Sequence, residues 1–341
     1  MDRAADFRSD TLTRPCRAMR DAMATAEVGD DVFGEDPTIA QLEAEAATFL
    51  GKESALFVPS GTMANQIAIH VHCRPGDELI CEERSHVYFY EGGSVARLSG
   101  TQVRTIRAPS GFPTPDDVRA AVRPDDPHFP RSRLLVVENT HNMAGGRCLA
   151  PDAMDALAAA AHERGLLVHI DGARLANASV ALGVPAARLA AAADTLSLCL
   201  SKGLGAPVGS VVAGDAAFIR AARRARKAFG GGMRQAGVLA AAALIALRDG
   251  PGWLPLDHQR ARHLAEAAAA VPGLSAALPE TNICMVDLDT RVPEDLVEHL
   301  RVRGVLALKV GPQRVRFVTH RDLTDEDVDR AEAGLRSFPA A

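Results

Sequence analysis

Apolar residues along the chain follow two alternating patterns. Short runs such as SALFV, DELIC, RLLVV, LLVHI, TLSLCL and GSVVAG are bounded by Gly, Pro, Ser or charged residues, which predicts buried strands. Between them lie longer stretches in helical spacing, among them IAQLEAEAATFL, MANQIAIHV and PDAMDALAAAAHE. Residues 195–214, TLSLCLSKGLGAPVGSVVAG, read as strand, sharp turn and strand, with Lys202 at the bend. Lys202 carries the only charge between Asp194 and Asp215. An ammonium among apolar strands is costly unless solvated or paired, and the usual relief is a neutral, nucleophilic amine able to form a Schiff base. A solvated surface lysine is the plain alternative.

The rest of the pattern supplies company for that lysine. In the polar arm RSDTLTRP, Ser9, Asp10 and Thr11 are positioned to cap a helix beginning near Pro15. The acidic loop EVGDDVFGEDPT precedes an amphipathic helix closed by Gly51. The strand SALFV breaks at Pro59-Ser60-Gly61-Thr62 and resumes as a helix, and free N-H groups at such a start suit either a plain cap or a bound phosphate. His86 opens an aromatic cluster after a strand, as a packed core residue or a catalyst, and His128 lies in a Pro- and Asp-rich loop. Asp171 ends the apolar strand LLVHI with Arg174 three residues on, which places both at the carboxyl edge of a parallel sheet. That strand precedes the one delivering Lys202, so sheet geometry brings acid and amine together.

Further along, DAAFIRAARRARKAFGGGMRQAG reads as a basic helix with a solvated arginine face, ending at Gly230, Gly231 and Gly232 with Arg234 beyond. Residues 236–247 are apolar all round and are expected to be buried. A shift at Asp249-Gly250-Pro251-Gly252 predicts a boundary, giving an arm (1–14), a large domain (15–249) and a small α+β domain (250–341). In QRVRFVTH the alternation sets Arg316 on the face opposite Val315 and Phe317, pointing to a cleft or to solvent.

Composition narrows the function classes. The 341 residues are 47% hydrophobic, enough for a large core. A formal charge of −5 with both signs interspersed favours neither nucleic acid nor an acidic membrane as partner. The six cysteines show no CxxC spacing, so neither a disulfide framework nor a metal site is expected. The opening residues lack an apolar signal segment, and the chain reads as a cytoplasmic protein acting on a small molecule.

The ordered motifs RSDT, EVGDDVFGEDPT, ALFVPSGTMANQ, SHVYFYE, ENTHN, HIDGARL, CLSKGLGAPVGS, GGGMRQAG and RFVTH carry a resemblance that spans nearly the whole chain. The sequence resembles the L-threonine aldolases among the fold type I, aspartate-aminotransferase-like enzymes that use pyridoxal 5'-phosphate. The resemblance implies an α/β fold with a mainly parallel seven-stranded sheet flanked by helices, a smaller C-terminal domain, and a homotetramer built from dimers with active sites at the subunit interface. It assigns Lys202 to the Schiff base with the cofactor and Asp171 to the pyridine nitrogen. Arg174 falls near the phenolic oxygen and the substrate carboxylate, and Gly61 with Thr62 forms the phosphate cup. Lys227 and Arg234 fall where the family reaches a neighbouring subunit's phosphate. His86 falls on the cofactor ring, Ser9 and Arg316 at the amino-acid carboxylate, and His128 at the β-hydroxyl.

The implied reaction is retro-aldol cleavage of L-threonine, L-allo-threonine and related β-hydroxy amino acids to glycine and an aldehyde. His86, a water it orients, or His128 takes the hydroxyl proton. Phe33 stands where many relatives have tyrosine, and Phe89 where some have tryptophan. A β-eliminating lyase or an aminotransferase of the same fold is the alternative.

Overall fold

The computed structural model describes residues 3–339. The arm starts with a two-residue strand, β1 (Ala5–Asp6). The seven strands of the large sheet follow in chain order: β2 (Ser54–Val58), β3 (Glu78–Glu82), β4 (Gln102–Ile106), β5 (Ser132–Glu138), β6 (Leu167–Gly172), β7 (Thr195–Cys199) and β8 (Ser210–Gly214). In space they run β2-β8-β7-β6-β5-β3-β4. All neighbours pair parallel except β8, which is antiparallel to both β2 and β7. Every residue of β3, β7 and β8 is buried, as expected of strands covered by helices on both faces.

Local signals set the helix ends near the site. Asp36 caps the helix Pro37–Leu50 by accepting from Ile39 N, and Gly51 closes it at φ 63°. Ser60 caps the helix Gly61–His72 by accepting from Met63 N. The arm behaves differently from the expectation. Ser9 caps a short 3-10 turn, Asp10–Leu12, and the next helix, Arg17–Ala24, starts at Cys16 without a side-chain cap. Asp10 is fully buried because it is engaged elsewhere.

The helix Gly237–Asp249 packs into the main core through Ala240, Ala242, Ala243 and Ala246. Beyond the turn Gly250–Gly252 the helix Leu254–Ala269 touches two cores: Leu254 belongs to the main cluster, and Leu264 and Ala268 to a second. That second core lies under a four-stranded antiparallel sheet of β9 (Leu274–Ser275), β10 (Ile283–Leu288), β12 (Leu308–Gly311) and β13 (Arg314–Val318), ordered β12-β13-β10-β9. The short β11 (Val305–Leu306) pairs parallel with β1, and Phe7 packs edge-on against Phe317 at 5.9 Å. The arm is therefore built into the C-terminal unit and runs from it to the carboxyl edge of the large sheet.

The arginines of the helix Ala216–Ala228 are not simply a solvated face. Arg226 is buried and bonds Asp31 Oδ2 at 2.5 Å and Phe57 O at 2.8 Å, while Arg223 bonds Glu43 at 2.7 Å. Asp31 of the acidic loop between Val28 and Asp36 is paired by both Arg223 and Arg226 of this helix. No helix among the described residues is long and apolar enough to cross a membrane.

Candidate active site

The register Asp171↔Ser197 puts the end of β6 beside β7, and the chain leaves β7 into the turn that carries Lys202. Gly172 is required there, since a Cβ would meet Ser197 O at 2.3 Å. Two adjoining cavities open at this edge. The inner one, about 200 Å³, is lined by Ser60, Gly61, Thr62, Asp171 and Ser201 among others; the outer, about 300 Å³, by Ser9, Tyr90, Asn142, Arg174 and Arg316 among others. Thr11, His86 and Lys202 line both. Lys202 is half-buried at the junction, more open than a lysine dried by apolar strands, and its charge helps hold Asp10 ionised.

The inner cavity is polar where a ring with an attached phosphate would need it. Asp171 is 1% exposed and accepts from Asn65 Nδ2 at 2.9 Å and from Ala173 N at 3.1 Å. Among the described residues it has no ion-pair partner, so a cationic N-H is the group it lacks. At the other end sits the start of the helix Gly61–His72, whose first amides have no intrahelical acceptor and whose dipole favours an anion. A Cβ on Gly61 would come within 2.5 Å of Cys199 Sγ, so only glycine lets the backbone approach this closely.

In the outer cavity two arginines behave differently. Arg174 makes a buried bidentate pair with Asp10, Nε to Oδ2 at 2.8 Å and Nη2 to Oδ1 at 2.7 Å. Burial opposes the charge on Asp10, yet Arg174 and Lys202 outweigh it and hold the carboxyl below its usual range. Arg316 is 9% exposed and donates only to neutral oxygens, Asn142 Oδ1 at 2.8 Å and Arg8 O at 3.2 Å. Its Nε has no partner among the described residues. Burial first, and the Arg174 charge second, lower its pKa to about 10. It is a buried guanidinium facing a cavity without a carboxylate of its own.

His86 stands between the cavities. Its backbone N-H donates to Glu138 Oε2 at 2.7 Å, and its Nδ1 lies 3.0 Å from Glu91 Oε1. Burial disfavours the imidazolium, but the bond to Glu91 and the charges of Asp171, Glu91 and Glu138 outweigh it, so its pKa is raised.

Residues 6–291 match the family described as beta-eliminating lyase. The chain belongs to that family. Within it, the chain is 48% identical over 336 residues to a probable low-specificity L-threonine aldolase 2 of Arabidopsis thaliana, covering 96% of this chain and 95% of that one. It is 42% identical to the low specificity L-threonine aldolase of Escherichia coli K12, covering 98% and 99%. The Leishmania major threonine aldolase structure superposes with a TM-score of 0.83 at 22% identity, covering 97% and 98%, which establishes the shared fold.

Against this beta-eliminating lyase frame, the expected site residues divide. Ser9, Gly61, Thr62, His86, Asp171, Arg174, Lys202 and Arg316 come together at one edge of the sheet. Arg174 is already paired with Asp10, whereas Arg316 has no carboxylate partner among the described residues. His128 does not join them. Its side chain is 86% exposed, bonded to Asp126 at 2.7 Å, in the loop that leads into the opposite, amino end of β5. Lys227 and Arg234 also lie outside both cavities. Lys227 is exposed in an arginine-lined groove, and Arg234 pairs with Asp30 at 3.0 Å. Phe33 is 75% exposed and distant from the site within one chain.

Sequence reasoning missed Asp10, Asn65, Glu91, Glu138 and Asn142. Asn65 had a readable signal: it follows Gly61 by four positions, so it shares that residue's helix face. The others depend on long-range packing.

Proposed function

We propose that the protein cleaves L-threonine and related β-hydroxy-α-amino acids to glycine and an aldehyde, with pyridoxal 5'-phosphate held in the inner cavity. The observation that carries this reading is the pairing of an acid lacking a cation with a cation lacking an acid. Asp171 faces the inner cavity and Arg316 the outer, with Lys202 between them. The aldolase relatives at 42% and 48% identity over nearly the full length support it. When bound, pyridoxal 5'-phosphate supplies an electron sink for the pair released from Cα. Asp171 would hold its ring nitrogen, Lys202 its aldehyde carbon, His86 its face, and Ser60, Gly61 and Thr62 its phosphate.

This chain's own residues do the rest. Arg316, supported by Asn142 and by Ser9 on the same wall, binds the substrate carboxylate and so fixes how Cα is presented to the inner cavity. His86 sits at the junction and takes the β-hydroxyl proton; the aldehyde C=O forms as the Cα-Cβ bond breaks and its electron pair stays on Cα. A proton returned to Cα completes glycine, so the count balances. Arg174, clamped by Asp10, contributes a fixed positive charge to the wall shared with the substrate.

Two finer points belong to the same reading. We infer a tetramer of paired dimers, in which Lys227 and Arg234 approach a neighbour's phosphate and His128 a neighbour's β-hydroxyl, since none of the three reaches the site of its own chain. A cytoplasmic location fits six free cysteines. The test is incubation of the cofactor-loaded protein with L-threonine and L-allo-threonine. Glycine with acetaldehyde is the expected product pair; ammonia with a keto acid overturns the reading.

A further inference from the structure

Glu91 is a buried carboxylate that the chemistry above does not use. It is 4% exposed and follows the His86–Phe89 helix. Three side-chain groups converge on it. Asn65 Nδ2 at 2.9 Å and His86 Nδ1 at 3.0 Å meet Oε1, and Gln66 Nε2 at 2.6 Å meets Oε2.

The orientation of Asn65 decides the protonation pattern around it. Its oxygen takes the hydroxyl of Ser197 at 2.8 Å, and its amide nitrogen faces two carboxylates, Glu91 and Asp171, each at 2.9 Å. The same oxygen lies 3.2 Å from His169 Nε2. Reversing the amide would set its oxygen against both acids, so the nitrogen points this way. Both oxygens of Glu91 then accept from amide donors. A carboxylate with two acceptor oxygens has no proton to give His86, so Nδ1 of His86 must be the N-H that donates. The second ring nitrogen, Nε2, bonds no group among the described residues, and the ring lines both cavities.

We propose that Glu91 is a positioning residue that holds His86 as its Nδ1-H tautomer, leaving the Nε2 lone pair as the base that meets the substrate hydroxyl. The inference rests on the aldolase reading for its chemistry but not for its geometry. Asn65 gives Glu91 a further consequence. One amide ties the acid behind the proton acceptor to Asp171, the acid behind the electron sink, so both partners of the cleavage step are aimed by a single side chain. Glu138 fixes the His86 backbone and, through Asn142, the guanidinium of Arg316. The charged and titratable groups facing His86 are Glu91, Glu138 on β5, Asp171 on β6, the ring of Tyr90 at 5.7 Å, and the cations Lys202, Arg174, Arg316 and Lys309 around the cavity. In the cleavage step the hydroxyl proton moves to Nε2, Nδ1 keeps its own proton, and Glu91 keeps its charge.

The test uses the cofactor-loaded protein with 15N-labelled histidine, the His86 signals being identified by their absence in His86→Gln. Above the pH at which the imidazole loses its charge, the expected signature is a protonated Nδ1 and a bare Nε2; the reverse tautomer overturns the proposal without reference to turnover. In kinetics with L-threonine, Glu91→Gln should lower kcat by about 10- to 100-fold with KM changed less than about threefold. It should also move the acidic limb of the kcat/KM profile to lower pH, while Glu91→Asp keeps that limb in place. A Glu91→Gln profile that overlays the parent overturns the proposal. If the parent protein releases no glycine from L-threonine, the aldolase reading fails, and the tautomer measurement still decides the role of Glu91.

Discussion

Arg316 and Asp257 show how one buried charge, with or without a partner, sets behaviour. Arg316 already has a depressed pKa because it is dry and close to Arg174, and an incoming carboxylate relieves both penalties. Arg316→Ala is therefore expected to raise KM for L-threonine by about 100-fold, the worth of a charge-assisted pair, with a smaller effect on kcat; steady-state kinetics check it. Asp257 is fully buried, and neither carboxylate oxygen has a hydrogen-bond partner among the described residues. Burial first, and the charge of Asp10 second, push its pKa to about 7 from 3.8. Between those two values the unfolded chain is ionised while the folded one keeps its proton, so stability contributed by this group falls as pH rises across the window. Asp257→Asn should match the parent near pH 4 and exceed it at pH 8 by about 2–4 kcal/mol, read from urea midpoints at the two pH values.

At the level of elements, the basic helix Ala216–Ala228 illustrates what the sequence conceals. Its arginine spacing suggested a wet face, because helical periodicity shows which residues share a side but not what lies opposite. Opposite lies an acidic loop nearly 200 positions earlier, and Arg226 and Asp31 form a pair shielded from water. Removing the guanidinium leaves buried Asp31 with only the longer contact to Arg223 at 3.5 Å, so Arg226→Ala should destabilise by about 3 kcal/mol in chemical denaturation, the low end for a broken buried pair. The strands, the helix after Ser60, the turn at Lys202 and the acid ending β6 were legible because each is a local pattern. The roles of Glu91 and Asp10 were not, since contacts that define them cross the chain: Glu91 to Asn65, 26 positions away, and Asp10 to Arg174, 164 positions away. His128 shows the same limit from the other side. Its loop is recognisable, but only the parallel pairing of β5 with β6 reveals that it sits at the amino edge of the sheet while Asp171 sits at the carboxyl edge.

For the whole molecule, that separation makes a statement about copies. If His128 serves a neighbouring chain, then Lys202→Ala and His128→Ala place their defects in different chains of one composite site. Mixing the two inactive variants under conditions of subunit exchange should restore about a quarter of the parent sites, because half the pairs are mixed and each mixed pair has one intact site. Glycine release measured against the mixing ratio checks this. Recovery near zero would mean that the loop acts within its own chain or not at all.

The arm adds a consequence for how the substrate arrives. Ser9 and Thr11 form a wall of the site, with Asp10 between them in sequence and buried, while just upstream β1 is paired with β11 and Phe7 with Phe317. Asp10 in turn is bound to Arg174, just beyond the end of β6, and to Asn282 at 3.1 Å. The two halves are thus clasped at the mouth itself, and swinging them apart would tear open a water-free ion pair. An amino acid must instead slip in past the rim, where the half-exposed ring of Tyr90 lines the outer cavity, so the breadth of side chains accepted is decided by a fixed doorway and not by a jaw.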